Sequence, residues 1–444
     1  VARPPVGIGA ALVVGLVVLI EERPAAAQRT EIEANGAINV GYTQVTRATL
    51  QADPNAQASD VRDGSLGEFF TEIRPGIGIQ TGSPRLTWRA GYQFSGNLSL
   101  SGEQLGSYSN QGSVSLGAEL TKFTTLSFSA QALQGGTSFL FAQRAADAGD
   151  PEIRAPDNAN LVSATLAESL GWEAGRHLSV QQALVANASA PLSALDDRNS
   201  SVAASLSLDR VYALDSYGVE ARAGIAWLRP LRADLAPYQT MTNALSARYN
   251  RDFSPSWNGL VTAGIEQVYS NTGSQPLAFL PAGSASVRYS LYNAVAALDV
   301  SHGTAINLQV GSVSLADKVT ARGIITLDPR EYRALSFSAG VLHNEPIGEV
   351  DSVIAAGTGN AFQGDVGFTT AISRSILFSA RYSVAYQFDQ GANIAPTLAH
   401  IALVGVVAVY KNTERPTRPV PKRGRRLDGT DAEGFPVIDE APTP

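Results

Sequence analysis

Residues 86–95 read Leu-Thr-Trp-Arg-Ala-Gly-Tyr-Gln-Phe-Ser. Leu86, Trp88, Ala90, Tyr92 and Phe94 take every second position; Thr87, Arg89, Gly91, Gln93 and Ser95 take the positions between. An extended strand sends successive side chains to opposite faces, so this stretch is a strand with one apolar and one polar side. Residues 376–388 repeat it, with Ile376, Phe378, Ala380, Tyr382, Val384, Tyr386 and Phe388 set against Ser379, Arg381, Ser383 and Gln387. From about residue 30 to residue 410 the chain continues in this two-residue period, cut at near-regular intervals by turn residues.

Alternation alone also fits a soluble sandwich. The number of strands, their aromatic ends and the leader decide for a transmembrane barrel, apolar side out and polar side in. Short connections centre on 82–84, 121–124, 173–176, 213–216, 252–256, 292–293, 328–331 and 373–375, most of them carrying Gly, Pro, Asp, Asn or Ser. Between them fall longer ones at 48–66, 97–110, 136–160, 188–199, 229–238, 270–281, 302–317, 344–358 and 389–396. Seventeen connections make eighteen strands, an even number, with short turns at one end and long loops at the other. Trp172, Tyr212, Tyr217, Phe253, Trp257, Tyr292 and Tyr332 flank the short turns, and Tyr42, Phe69, Phe94, Trp227, Tyr269 and Phe388 lie towards the long loops. Two aromatic girdles are what the two lipid–water interfaces favour.

The bulk numbers agree. No internal stretch is long and apolar enough for a membrane helix, although 44% of residues are hydrophobic. A barrel spreads its membrane signal over every second residue. Charged residues make up 16%, below the soluble norm of about 25%. A net charge of −7 argues against nucleic acid, and the absence of cysteine excludes disulfides, thiol nucleophiles and zinc–thiolate sites.

Residues 1–27 have the form of a cleaved secretory signal: Arg3, an apolar core from Val6 to Ile20, and Ala25-Ala26-Ala27 before Gln28. Residues 28–410 form the barrel, its last strand ending at Tyr410. Residues 411–444 form a flexible tail, rich in proline, with the basic block Lys422, Arg423, Arg425 and Arg426 before a run of acids. Strand parity puts the tail in the periplasm.

The polar side collects Glu72, Arg74, Arg89, Gln93, Glu119, Gln131, Gln181, Glu220, Arg222, Arg248, Arg288, Asp299, Arg322, Asp365, Arg381 and Gln387. As lumen-lining residues they would set a field across an aqueous channel, since a barrel of this size is too wide to be filled by side chains. For any single one of them bracing the wall is the plainer role, and a wide lumen can include both. The longest connection, 136–160, carries Arg144, Asp147, Asp150, Glu152, Arg154 and Asp157, with Phe139 and Phe141 as anchors. It is a candidate constriction loop folded into the lumen; a solvent-exposed loop is the plainer alternative.

Signals for an enzyme are thin. His177, His302, His343 and His400 have no metal-ligand spacing, and no Gly-x-Ser-x-Gly elbow or phosphate-binding glycine loop is present. Ser301–His302 and Ser338–His343 are near in sequence only. No cofactor and no metal is expected.

With its leader, even strand count, girdles and aromatic-ended last strand, the chain resembles the outer-membrane β-barrel porin-like proteins of Gram-negative bacteria. Within them it is similar to eighteen-stranded polysaccharide-export barrels and to sugar-specific and general porins. The resemblance implies outer-membrane localisation, lipid around the barrel, and passage of hydrophilic cargo, a saccharide or an exported polysaccharide. The tail departs from the usual pattern and points to a periplasmic export partner. A general or ion-selective diffusion porin is the alternative, as is a closed barrel acting as adhesin or scaffold. A twenty-two-stranded plugged receptor is not expected.

Overall fold

A computed structural model describes residues 29–48, 63–83, 85–100, 107–136, 160–229, 236–271, 277–309, 311–328, 333–347, 359–373, 375–388 and 397–412. The first strands are β1 (Arg29–Ala48), β2 (Asp63–Ser83), β3 (Leu86–Ser99), β4 (Ser107–Thr121), β5 (Thr124–Gly136) and β6 (Asn160–Gly175). There follow β7 (Leu178–Pro191), β8 (Asn199–Val211), β9 (Asp215–Leu228), β10 (Tyr238–Ser254), β11 (Trp257–Ser270) and β12 (Leu277–Leu291). The last are β13 (Ala294–Asn307), β14 (Ser312–Asp328), β15 (Arg333–Pro346), β16 (Gly359–Ser373), β17 (Ile376–Phe388) and β18 (Thr397–Asn412). Each pairs antiparallel with its sequence neighbours, and β1 pairs with both β2 and β18, so the eighteen-stranded sheet closes on itself. Closure removes the sheet edges that hydrocarbon cannot satisfy.

The register fixes the faces. Asn39 lies opposite both Glu72 and Gly405, and Ile38 opposite both Ile73 and Val406, so polar meets polar and apolar meets apolar. On the apolar face Ile38, Val40, Leu245, Ile265, Phe279 and Val404 are between 51% and 67% exposed. Asn39, Glu72, Ser95, Ser207, Asp365 and Ser383, on the other face, are all below 9%. Such an inversion of inside and outside is a liability in water and the expected state in lipid. The girdle residues Trp172, Tyr217, Phe253 and Trp257 are exposed beside the short turns; Phe69, Trp227 and Tyr269 are exposed near the other end. Tyr42 packs on Phe69 at 4.9 Å and Trp257 on Tyr289 at 4.7 Å. Such tilted ring pairs are the favoured aromatic geometry. Tyr332 lies outside the described residues, as do residues 1–28, the tail from 413, and the whole of 137–159 with Arg144, Asp147, Asp150, Glu152, Arg154 and Asp157.

One connection differs from the sequence expectation. Residues 302–317 are not a long loop but the end of one hairpin: β13 runs to Asn307 and β14 begins at Ser312. Ser312, Val313, Ser314, Leu315 and Ala316 keep the alternation of a strand. Gly311 turns the chain with φ 66°, in the left-handed region open to glycine.

Candidate functional site

The site is the inner wall and what folds against it. Three carboxylates are built into that wall. Glu72 is 4% exposed. It accepts hydrogen bonds from Asn39 Nδ2 at 2.7 Å and Ser95 Oγ at 3.3 Å, with Arg74 Nε 2.8 Å from its Oε1. Asp365 accepts from Arg381 Nε at 2.5 Å and Ser383 Oγ at 2.8 Å. Glu220 accepts from Arg222 Nη2 at 2.9 Å, and Arg248 bridges Glu220 at 3.5 Å and Asp209 at 3.6 Å. Arg322 faces Asp299 at 3.7 Å and Arg89 faces Glu33 at 3.9 Å. A buried carboxylate keeps its charge only when paired in this way. Gln93, Glu119, Gln131 and Arg288 fall on the same face, through the pairs Gly76–Gln93, Glu119–Thr125, Ser113–Gln131 and Ser286–Asp299, whose alternation continues to Arg288. The register therefore brings every expected lumen residue of the described chain to the inner face, most of them as ion pairs of mixed sign.

Sequence reading missed the element that crosses this space. β12 and β13 pair only from Gly283–His302 down to Leu291–Ala294. Above that point Leu277–Ala282 stay on β11, and Gly303–Asn307 stay on β14. The β13–β14 tip leaves the wall and leans across the inside of β8–β11. Asn199 Nδ2 donates to the Leu308 carbonyl at 2.8 Å, and Tyr238 Oη donates to the Gly311 carbonyl at 3.0 Å. Asn199 Oδ1 in turn accepts from the Arg229 backbone N–H at 2.5 Å, and Arg229 pairs with Asp197. The Thr304 N–H, released from the wall, donates to Glu266 Oε2 at 2.9 Å. Ala226, Leu228, Thr240 and Val268, on the inner face of β9–β11 where the tip is tethered, are 4% exposed or less. Leu228 and Val268 were the available signal: apolar residues on the polar side of the alternation mark a wall that something covers.

Beneath the tip lies a side chamber of about 560 Å³ between β9 and β15. Arg222, Ser246, Thr262, Glu266, Ser284, Ser301 and Lys318 line it. Thr262 Oγ1 and Ser284 Oγ share a hydrogen bond of 2.7 Å. Hydroxyls beside charges of both signs suit a hydroxyl-rich or anionic solute.

The histidines are elsewhere. His302, His343 and His400 lie on the outer face, opposite Gly283, Asn360 and Val384. His302 Nδ1 meets Asp317 Oδ1 at 2.7 Å; His343 reaches Asn360 at 2.7 Å and Glu345 at 3.0 Å; His400 Nδ1 meets Tyr382 Oη at 2.7 Å. His177 Nδ1 bonds the Val211 carbonyl at 2.9 Å beside a short turn. Ser301 and Ser338 are on the inner face, so the pleat separates each from its sequence-near histidine. Among the described residues no three His, Asp or Glu side chains are grouped to hold a metal.

No protein-family model matches the chain, and no curated protein matches it in sequence. Solved structures match in fold. The ferric-catecholate import receptor Fiu of E. coli K12, open form, is 9% identical over 88% of this chain and 82% of its own, with a TM-score of 0.40. The siderophore receptor PirA of Pseudomonas aeruginosa is 10% identical over 88% and 81%, at 0.38. OccK2 of Pseudomonas aeruginosa, in complex with glucuronate, is 11% identical over 85% and 98%, at 0.38. Likeness of this degree carries no argument about cargo or mechanism. The geometry stands by itself: closed, even-numbered, antiparallel, greasy outside and polar within. The chain is a closed eighteen-stranded antiparallel β-barrel with the apolar outer face and polar inner face of a transmembrane barrel.

Proposed function

We propose that the barrel is a channel of the Gram-negative outer membrane that passes hydrophilic solutes, with saccharide as the first cargo. The observation that carries this is the inner wall: ion pairs of alternating sign around Glu72, Glu220 and Asp365, beside a chamber lined by Ser246, Thr262, Ser284 and Ser301. Paired charges cancel much of the net field while leaving strong local dipoles, which favour neutral, hydroxyl-bearing molecules over one sign of ion. Such a wall moves solutes without covalent chemistry. Glu72, Arg74, Arg89, Gln93, Glu119, Gln131, Glu220, Arg222, Arg248, Arg288, Asp299, Arg322, Asp365 and Arg381 are the residues we assign to it. A polymer delivered by a periplasmic partner docked on residues 411–444 is the extended form of the same reading.

The test is conductance in planar bilayers together with swelling of proteoliposomes in mono- and oligosaccharides. The expected result is discrete current steps, swelling that falls with sugar length, and current blocked by added sugar. Steps without sugar block would favour a general diffusion porin, and no current above the bare bilayer would leave a closed scaffold.

A further inference from the structure

Where the β13–β14 tip leaves the wall, the barrel has a slit. The edge Leu277–Ala282 of β12 has no partner on β13 among the described residues. The Ser284 N–H points to β11, donating to Thr262 Oγ1 at 3.0 Å. By the alternation of an antiparallel ladder, positions 277, 279 and 281 then turn their backbone to the slit. One of them is Pro281, which has no N–H to leave unpaired and which interior strands exclude. On the other side Glu266 takes the Thr304 N–H. One position on each margin, Pro281 and Thr304, is thus compensated without strand pairing. Inside the slit is the polar chamber. Outside it are Phe279 and Ile265, 67% and 60% exposed. A row of directly opposed polar residues, His302, Asp317, His343 and Asn360, runs from its base around the outer surface. Ionisable groups on a lipid-facing surface call for a functional account.

We propose that this slit is a lateral portal, through which an amphiphile with a phosphate-bearing head and an acyl chain enters from the leaflet at the long-loop end. The head reaches the chamber, where the cations Arg222, Arg248 and Lys318 outnumber the carboxylates Glu220 and Glu266, and Ser284 and Ser301 supply hydroxyls; the chain remains along Phe279 and Ile265. This inference does not depend on the barrel conducting solutes.

The chain has no cysteine, so single-site labelling is clean. Two paired-cysteine variants test the slit. Gly303 places a Cβ 3.7 Å from that of Ala282, so A282C/G303C should oxidise readily. L280C/A305C, the pair that would meet if the ladder continued, should not; if it oxidises equally fast, the slit is zipped and the portal is wrong. For the ligand, S301C and, on the inner face of β5, S129C are each labelled with bimane in liposomes. The quencher is a phosphatidylcholine carrying a nitroxide on its headgroup. Quenching several-fold stronger at 301 than at 129 is expected, and equal quenching would overturn the proposal. A water-soluble nitroxide reads the lumen separately: if it quenches neither site, the channel reading fails while the portal result stands.

Discussion

At the scale of single residues the inner wall is held by groups that find their partners within it. Glu72 is held by Asn39, Ser95 and Arg74. Replacing it by alanine leaves Arg74 and Asn39 in a nearly closed space without their acceptor. A cost of about 1–3 kcal/mol is expected for each stranded group, read as a lower urea midpoint of the folded barrel in detergent. The tip tethers behave differently. Tyr238→Phe removes one hydrogen bond to the Gly311 carbonyl, and Asn199→Ala removes both the Leu308 contact and the Arg229 contact. Each bond is worth about 1 kcal/mol of net stability, so the barrel should survive while the tip loosens. The single-channel record should then show larger or noisier current steps in Y238F and more so in N199A. Unchanged steps would mean that the tip does not limit the pore.

At the scale of strands, facing decides what a substitution does. Leu245 is on the outer face and 58% exposed, and its neighbour Ser246 lines the chamber. Leu245→Arg should cost about 2–4 kcal/mol in lipid and lower the yield of folded barrel. Ser246→Arg should fold at normal yield and narrow the pore. Equal folding yields would contradict the facing. The same alternation made the strands legible beforehand. Trp88 to Phe94 and Phe378 to Phe388 declare their faces without help, because the large apolar residues keep a strict two-residue period and Arg89, Gln93, Ser379, Arg381, Ser383 and Gln387 fall between them. Most turns followed, since Gly, Pro, Asn and Asp punctuate them. The β13–β14 tip did not. Its glycines, Gly303 and Gly311, read as loop, and its departure from the wall depends on contacts to Asn199 and Tyr238 far away in sequence. Local periodicity carries no information about such contacts. The wall residues were legible as a face; that Glu220 serves two arginines, or that Glu266 caps the Thr304 N–H, depends on register between strands and was not.

At the scale of the whole molecule, one division explains closure, girdles, ion pairs and chamber together: alternate side chains meet acyl chains, and the others enclose water. Eight consecutive substitutions are not needed to examine it; six suffice on β8, in the central part of Asn199–Val211. Single cysteines at Ser201, Ala203 and Ser205 fall on the inner face, and at Ala204, Leu206 and Leu208 on the outer. In proteoliposomes a membrane-impermeant, water-soluble maleimide should label 201, 203 and 205 and spare 204, 206 and 208. Uniform labelling, or labelling of the even positions alone, would contradict the account.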